Sequence, residues 1–265
     1  MAGYGSFAYY YDRLTDNAEY SKRCDYITNL LAENAVGGGI LLDLACGTGT
    51  MSQLFSEKGF EVIGVDASEE MLSIAMEKNY ERDGNILYIC QSMDQLDLYG
   101  TINCAVCTLD SINHVTDKSL VREAFKKVGL FMEKGGVFVF DVNTEYKHRH
   151  VLGNNTFVYD VDDVYCVWQN TLNEENADVH IELDIFAKSE DTDTYIRDEE
   201  EFSEVIYSHA ELEEYLKKAG FEIVGVYDEF TKENLKTDSQ RAVYVCKKVK
   251  QTNGFFKGII DKIKK

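Results

Sequence analysis

A carboxylate and a glycine turn follow one another in residues 40–49, which read ILLDLACGTG. The apolar residues indicate a buried strand, and Gly47 and Gly49 allow the next turn to bend sharply and a ligand to lie against its backbone. Asp66 ends a second apolar run about twenty residues later, where a carboxylate can accept hydrogen bonds from ribose hydroxyls. This spacing predicts a site for a cofactor that contains a nucleoside.

Asp43, inside the first apolar run, separates two classes of such cofactor. A dinucleotide-binding GxGxxG fingerprint would need a third glycine where Ser52 stands. A carboxylate at the end of the first strand would repel the pyrophosphate of NAD, whereas it would attract a ligand that carries an ammonium and a sulfonium. The alternative is an acid that only holds backbone amides of the turn. Charge therefore favours a sulfonium cofactor over NAD.

The elements that must position these residues alternate between strand-like and helix-like patterns through residues 1–144. Strand patterns such as FEVIGVDAS and VFVFDV are separated by helical ones such as EEMLSIAMEKNYE, which predicts an α/β fold with a doubly wound, Rossmann-like parallel sheet. Residues 145–207 hold β-like segments without helices between them, which predicts a small antiparallel insertion, or cap. The α/β pattern resumes at 208–250 with a helix and two strands that should pair antiparallel at the sheet edge.

The composition limits the partners. A formal net charge of -20 repels phosphate backbones and argues against a nucleic-acid substrate. No run approaches the ~20 apolar residues of a membrane span, and the N-terminal residues lack a signal-peptide pattern. The seven cysteines are an odd number, and several lie in apolar runs, as is typical of reduced thiols. We therefore expect a cytoplasmic protein; its oligomeric state is not predicted.

Cys104 and Cys107 form a CxxC pair inside the strand-like run INCAVCTL. A zinc site of this kind needs a second pair of ligands, and the sequence offers no matching one. We expect both thiols to pack in the core, and we predict no metal site.

The last segment, 251–265, places phenylalanines and isoleucines at helical spacing beside lysines. This pattern predicts a basic amphipathic tail. Such a tail either docks on its own domain, frays, or makes a weak membrane or partner contact.

The paired segments LLDLACGTGT and GVDASEEML resemble motif I and the following acidic motif of class I S-adenosylmethionine-dependent methyltransferases. The resemblance covers residues 40–143, and AELEEYLKKAGFEIVGV is similar to the final helix and strand of that family. It implies a seven-stranded methyltransferase sheet and S-adenosyl-L-methionine as the cofactor. The segments YGSFAYYYDRL and SINH resemble, more narrowly, a bacterial branch with small-molecule or unassigned acceptors.

The residues and the resemblance together predict a set of cofactor-binding positions: Tyr11, Tyr20, Asp43, Ala45, Gly47, Gly49, Asp66, Ala67, Met71, Ser92, Met93 and Leu109. By the resemblance, the backbone around Ala45 and Gly47 holds the methionine part, and Asp66 takes both ribose hydroxyls. Ala67 and Met71 then flank the adenine. Ser92 with Met93 after it, or Asp94 in a shifted position, meets the adenine ring.

Methyl transfer from a sulfonium is an in-line displacement, so alignment in a dry cavity is the main requirement. A base is needed only if the acceptor arrives protonated. The candidates are Asp110, His114 and His209, with Tyr11 as a polar orienting group; each of them could instead be structural. The resemblance places Leu109 and Asp110 beneath the sulfonium and implies that Tyr11 and Tyr20 close over the cofactor, although both tyrosines could simply pack a helix on the sheet.

The acceptor is expected to be a small molecule methylated on nitrogen or oxygen. Methyltransferases that act on base amino groups of nucleic acids use a Pro-Pro-aromatic motif, and this chain contains no proline. A β-rich cap also favours an enclosed acceptor. Trp168, Tyr165 and Tyr195 could line its pocket or fill its core, and His148 and His150 could line the insertion or lie in a solvated loop.

Three other classes of function stay open. An NAD-dependent oxidoreductase is disfavoured by the absent third glycine and by Asp43. A non-catalytic protein that binds S-adenosylmethionine or S-adenosylhomocysteine would need the same pocket as the enzyme. An adaptor would depend on the basic tail.

Overall fold

The computed structural model describes residues 7–15, 18–189 and 194–250, and a seven-stranded sheet lies at its centre. The strands are β1 (Gly39–Leu44), β2 (Phe60–Asp66), β3 (Leu87–Cys90), β4 (Ile102–Cys107), β5 (Met132–Asn143), β6 (Thr156–Val161), β7 (Val164–Leu172), β8 (Val179–Lys188), β9 (Tyr195–Glu204), β10 (Phe221–Asp228) and β11 (Arg241–Lys248). The central sheet has the order β10-β11-β5-β4-β1-β2-β3. Strands β1 to β5 run parallel, and β11 is antiparallel to both of its neighbours. The predicted doubly wound α/β fold is confirmed.

The helices are α1 (Phe7–Leu14), α2 (Tyr20–Glu33), α3 (Thr50–Glu57), α4 (Glu69–Glu81), α5 (Lys118–Phe131) and α6 (His209–Ala219). Side chains at their N-termini explain why several begin where they do. The Ser68 hydroxyl accepts the Met71 amide at 3.1 Å at the start of α4. Ser208 and Glu211 form a reciprocal capping box at the start of α6. Both helices therefore start at positions fixed by local hydrogen bonds.

The central sheet is buried on both faces, and β4 shows how this affects the CxxC pair. The buried thiols of Cys104 and Cys107 belong to two different apolar clusters, one on each side of the sheet. Side chains three residues apart on a strand point to opposite faces. The pair therefore packs in the core, and its two sulfurs cannot hold one metal ion together.

A second sheet, with the order β6-β7-β8-β9, is antiparallel throughout and follows a π-helical segment at Lys147–Leu152. Alternate residues of β8 are buried, among them Ile181 and Leu183. They form an apolar cluster with Phe7 and Leu14 of α1. Helix α1 therefore packs against the cap, and the antiparallel insertion that the sequence predicted is present.

One buried side chain, Asn113, joins the two points at which the chain leaves and re-enters the central fold. Its Oδ1 accepts the amide of Asn143 at 2.9 Å, and its Nδ2 donates to the carbonyl of Val205 at 3.0 Å. The amide of Val205 returns a hydrogen bond to the Asn113 carbonyl at 2.9 Å. Both connections of the cap are thus fixed beside the turn that follows β4.

The division into 1–144 with 208–250, a cap at 145–207 and a tail at 251–265 stays a prediction. The tail lies outside the described residues. Among the helices described, none has the length and apolar character needed to span a membrane.

The glycine turn after β1 provides a test of the local fold. Gly49 has φ +75°, and a Cβ there would lie 2.3 Å from the Tyr88 hydroxyl and 2.9 Å from the Ala75 Cβ. We expect Gly49→Ala to lower the free energy of unfolding by about 2–4 kcal/mol through strain and overpacking. Gly100→Ala, where nothing lies within 4 Å, should change it by less than ~0.5 kcal/mol. Chemical denaturation would measure both, and equal stabilities would contradict the geometry.

Candidate active site

A cavity of about 540 Å³ opens where β1, β2, β4 and β5 end, between the central sheet, α1 and the cap. Parallel sheets bind their ligands at this edge, and the volume falls in the usual range for small-molecule pockets. Phe7 of α1 and Trp168 and Phe202 of the cap form part of its apolar wall. The cavity therefore has a floor made by the strand ends and a roof made by the cap.

Most of the predicted site residues line this cavity: Tyr11, Ala45, Gly47, Asp66, Ala67, Met71, Ser92, Met93, Asp94, Leu109, Asp110, His114 and Trp168. Tyr20 lines a smaller pocket that shares Tyr11, Ala45, Gly47 and Leu109 with the main one. The residues that the sequence placed at strand ends thus meet in one space. Both Ser92 and Asp94 lie in the wall, so the geometry leaves their alternative roles open.

Other predicted residues lie elsewhere. His209 is the first residue of α6, where its Nδ1 lies 3.1 Å from the Tyr244 hydroxyl and outside the cavity wall. Tyr165 and Tyr195 are exposed on the cap. These positions do not support His209 as a base or the two tyrosines as pocket residues, because none of the three lines the cavity.

The two histidines that begin the insertion have different surroundings. His148 is fully buried, with its Nδ1 2.8 Å from the Ala177 carbonyl and its Nε2 3.0 Å from Glu204 Oε2. His150 is exposed, and its ring lies 4.7 Å from that of Tyr146. Neither histidine lines the cavity. His148 instead contacts Glu204, which is a residue of the cavity wall.

Asp43 lies beneath the glycine turn rather than in the cavity wall. It is 1% exposed and accepts the Ser52 hydroxyl at 2.6 Å. Burial raises the pKa of Asp43 to about 7, although the Ser52 hydrogen bond acts in the opposite direction. Asp43 does not line the cavity, so its place among the cofactor-binding residues stays a prediction. From this position it would act through its charge, as a buried carboxyl that a nearby positive charge would ionise. Gly49 likewise serves the turn and the start of α3, outside the wall.

Asp66 joins the glycine turn to the start of α4. Its Oδ2 accepts the Gly47 amide at 2.8 Å, and its Oδ1 accepts the Ser68 amide at 2.9 Å. Burial raises the pKa of Asp66 despite these hydrogen bonds. Two carboxyls with raised pKa values, the half-buried Asp66 in the wall and the buried Asp43 beneath it, thus lie at one end of the cavity, and this environment fits a cationic nucleoside better than a pyrophosphate.

Helix α1 is tied to the glycine turn by a polar network. Asp12 accepts the Thr48 hydroxyl at 2.6 Å and pairs with Lys78 at 2.6 Å. The Thr15 and Tyr20 hydroxyls lie 2.8 Å apart at the other end of the helix. These contacts hold Tyr11, whose side chain faces the cavity, over the ends of the strands.

The turn after β4 is strained. Leu109 and Asp110 are consecutive left-handed residues, with φ values of 57° and 52°. Both of their amides donate to Asp141 at the end of β5, at 3.0 and 2.8 Å. Each left-handed residue costs of order 1 kcal/mol, and such strain persists where the surroundings enforce it. Asp141 therefore fixes the backbone that carries Asp110 into the cavity.

Arg241, the first residue of β11, balances the negative charge of the acids at this turn. It pairs with Asp110 at 2.6 Å, with Glu229 at 3.1 Å and with Asp141. Burial alone would raise the pKa of Asp110, but Arg241 holds that pKa well below its usual range. Asp110 is thus a carboxylate and not a neutral acid.

An acid–histidine cluster occupies the other end of the cavity. His114 Nε2 lies 3.6 Å from Asp110 Oδ2 and 4.0 Å from Glu204 Oε1. Burial acts to lower the pKa of His114, but hydrogen bonding to Asp110 and the charge of Glu204 raise it overall. Glu204 in turn accepts Asn143 Nδ2 at 2.7 Å. The arrangement can accept a proton at His114 and stabilise the resulting imidazolium.

The ligand atoms of Asp110, His114 and Glu204 all lie within 4.8 Å of one another, so the set could also hold a metal ion, which the sequence did not predict. Arg241 already pairs with Asp110, and the charge of Lys147 acts on the same carboxylate. Positive charge is therefore supplied here by the chain itself, and the cluster suits proton transfer.

Sequence reasoning missed several residues of the wall: Arg23, Asn143, Lys147, Glu204, Glu229 and Arg241. Arg23 carried a usable signal, because it is a cation beside the apolar face of α2 and is buried against Glu229 at 2.7 Å. Glu204 carried none, because it follows a run of other acids in RDEEEFSE. Arg241 pairs with acids a hundred positions or so away in the chain, which no local pattern reveals.

Comparisons with known proteins agree with this geometry. The methyltransferase domain family matches residues 41–136. A Bacillus subtilis (strain 168) protein is 33% identical over 93% of this chain and 98% of its own length, and its name gives methyltransferase as an unproven activity. The crystal structure of an S-adenosylmethionine-dependent methyltransferase from Clostridium acetobutylicum ATCC 824 is 32% identical, covers 93% of this chain and 99% of its own, and gives a TM-score of 0.83. Human glycine N-methyltransferase is 29% identical over 52% of this chain and 50% of its own length.

The bacterial relative and the clostridial enzyme match this chain almost from end to end, so the likeness includes the cap as well as the central sheet. The agreement decides against an NAD-dependent oxidoreductase and against a binding protein or adaptor of another family. The chain belongs to the class I S-adenosylmethionine-dependent methyltransferases, and S-adenosylmethionine is its cofactor.

Proposed function

We propose that this enzyme transfers a methyl group to a nitrogen or oxygen atom of a small molecule held between the strand ends and the cap. The observation that carries the proposal is the single cavity with two ends of different chemistry. One end has the glycine turn and Asp66, and the other has His114 between Asp110 and Glu204. A roofed cavity of about 540 Å³ favours a small acceptor over a polymer. The distant likeness to glycine N-methyltransferase also supports a small acceptor.

The cofactor would lie along the ends of β1 and β2. Asp66 would accept the ribose hydroxyls, the backbone of Ala45 and Gly47 would lie against the methionine part, and Ala67 and Met71 would flank the adenine. All five residues line the cavity, which supports this arrangement. Ser92 or Asp94, with Met93, would contact the adenine, and Leu109 would lie beneath the sulfur.

When bound, S-adenosylmethionine supplies an electrophilic methyl group with a good leaving group. The chain's own residues then align the acceptor and exclude water from around it. His114 would take a proton from an acceptor that arrives protonated, and Asp110 and Glu204 would stabilise the charged imidazole. Tyr11 would orient the acceptor from α1. All seven cysteines are free and six of them, all but Cys90, are buried, which supports the further proposal of a cytoplasmic location.

Asp43 provides a test that separates a cationic cofactor from a neutral one. Because its pKa is raised to about 7, Asp43 is partly protonated at pH 7. A nearby sulfonium would lower that pKa, so binding of S-adenosylmethionine should release a fraction of a proton, and binding of the neutral product should release less. Calorimetry at pH 7 in two buffers of different ionisation enthalpy would measure the release.

Asp43→Asn is the control for this test, because it keeps an oxygen for Ser52 and removes the titration. It should abolish the difference between S-adenosylmethionine and S-adenosylhomocysteine. If the variant shows the same difference in proton release between the two ligands as wild type, the charge of the cofactor does not change the protonation of Asp43.

The ribose role of Asp66 is tested by Asp66→Ala. Loss of two charge-assisted hydrogen bonds worth ~1.5–3 kcal/mol each should weaken S-adenosylhomocysteine binding by at least about a hundredfold. Calorimetry gives the affinity, and circular dichroism verifies folding. Glu69→Ala is the matched control, because Glu69 is an exposed acid on the first turn of α4, outside the cavity wall. Equal affinities of the two variants would reject the ribose role.

The proposed acceptor class is tested with radiolabelled S-adenosylmethionine and a bacterial extract separated by dialysis into small molecules and polymers. We expect label in the small-molecule fraction only; label in RNA, DNA or protein would contradict the proposal.

His114→Gln should lower the rate of methyl transfer about a hundredfold at neutral pH if a proton is removed from the acceptor. The wild-type rate should rise as pH increases above ~6.5, because the raised pKa of His114 delays formation of its basic form.

A further inference from the structure

Lys147 places an ammonium group in the cavity wall, in the first position of the π-helical segment that follows β5. Its Nζ donates to Asn143 Oδ1 at 2.9 Å. Among the residues that the structure describes, no carboxylate oxygen lies within the 4.0 Å of an ion pair with this nitrogen. Single turns of π-helix are rare and are often found at functional sites. The cation is thus presented to the cavity without a carboxylate of its own.

The nearest acids already have partners. Asp110 is paired with Arg241, and Glu204 accepts Asn143 and His148. Glu229, the third acid whose charge reaches Lys147, is paired with Arg23 and Arg241. Each of these acids thus has a closer cationic or hydrogen-bond partner than Lys147, whose own pKa is lowered, chiefly by burial and also by the charge of Arg241.

We propose that Lys147 binds a carboxylate carried by the methyl acceptor. The acceptor would then hold two groups: a nucleophilic nitrogen or oxygen beside His114, and an acid beside Lys147. The inference rests on the proposed function and narrows its acceptor class to small carboxylic acids that contain an amine or hydroxyl.

The geometry also limits how far apart those two groups are. Asn143 bridges Lys147 at 2.9 Å and Glu204 at 2.7 Å, and Glu204 Oε1 lies 4.0 Å from His114 Nε2. One asparagine and one carboxylate therefore separate the ammonium from the imidazole.

The test uses Trp168, the single tryptophan of the chain, which lines the same cavity. The full-length protein is first saturated with S-adenosylhomocysteine, so that the cofactor's carboxylate is already in place. Acetate and its neutral isostere acetamide are then titrated while tryptophan fluorescence is recorded. The proteins compared are wild type, Lys147→Met, Lys147→Arg and Lys134→Met; Lys134 is exposed near the start of β5.

We expect wild type to bind acetate at least about tenfold more tightly than acetamide, as for a hydrogen bond to a charged group. Lys147→Met should lose this preference, Lys147→Arg should keep part of it, and Lys134→Met should behave as wild type. Wild type without a preference for acetate, or Lys147→Met with an undiminished one, would overturn the proposal.

Affinity for S-adenosylhomocysteine, measured by calorimetry in each variant, separates the remaining outcomes. If Lys147→Met loses cofactor affinity but keeps the preference for acetate, Lys147 serves the cofactor's carboxylate and the proposal is wrong. If wild type fails to bind S-adenosylhomocysteine at all, the proposed function itself fails. Unchanged cofactor affinity in Lys147→Met, together with loss of the acetate preference, supports an acceptor site.

Discussion

The active end of this enzyme depends on one carboxylate, Asp141, which lies near the end of β5. It accepts two successive amides from the turn after β4 and pairs with Arg241 from β11. These bonds hold Leu109 and Asp110 in the left-handed conformation, which costs free energy in residues other than glycine. Three strands are thus joined at the floor of the cavity by side-chain bonds in addition to the sheet, and this junction aims Asp110 at His114.

Electrostatics acts differently at the two ends of the cavity. At the cofactor end, the buried Asp43 and the half-buried Asp66 have no cationic partner within ion-pair distance among the described residues, and desolvation raises both pKa values. At the acceptor end, Arg241 keeps Asp110 ionised although it is buried. The first environment gains from a positive ligand, and the second already contains its own cations.

The fold, and the residues that line the cavity at the ends of β1 and β2, could be predicted from the sequence because their signals are local. The run before Asp43, the glycines after it and the acid at Asp66 all belong to one strand–turn–helix–strand unit. The acceptor end could not, because it is built from residues brought together by the insertion. Glu204 meets His114 across ninety positions or so of chain, and Arg241 meets Asp110 across even more. The sequence did not reveal that Asp43 lies beneath the glycine turn, where it accepts the Ser52 hydroxyl, and not in the cavity wall.

Asn113 has a consequence for how such enzymes diversify. Because its single amide brings the start and the end of the insertion side by side, the ends of the inserted loop stay fixed whatever lies between them. The entropic cost of closing a loop grows only with the logarithm of its length. Strands can therefore be added to the insertion, removed from it or exchanged within it at a small cost in the stability of the central sheet. Natural variation can therefore change the cap that covers the acceptor while the residues that bind the methyl donor are kept.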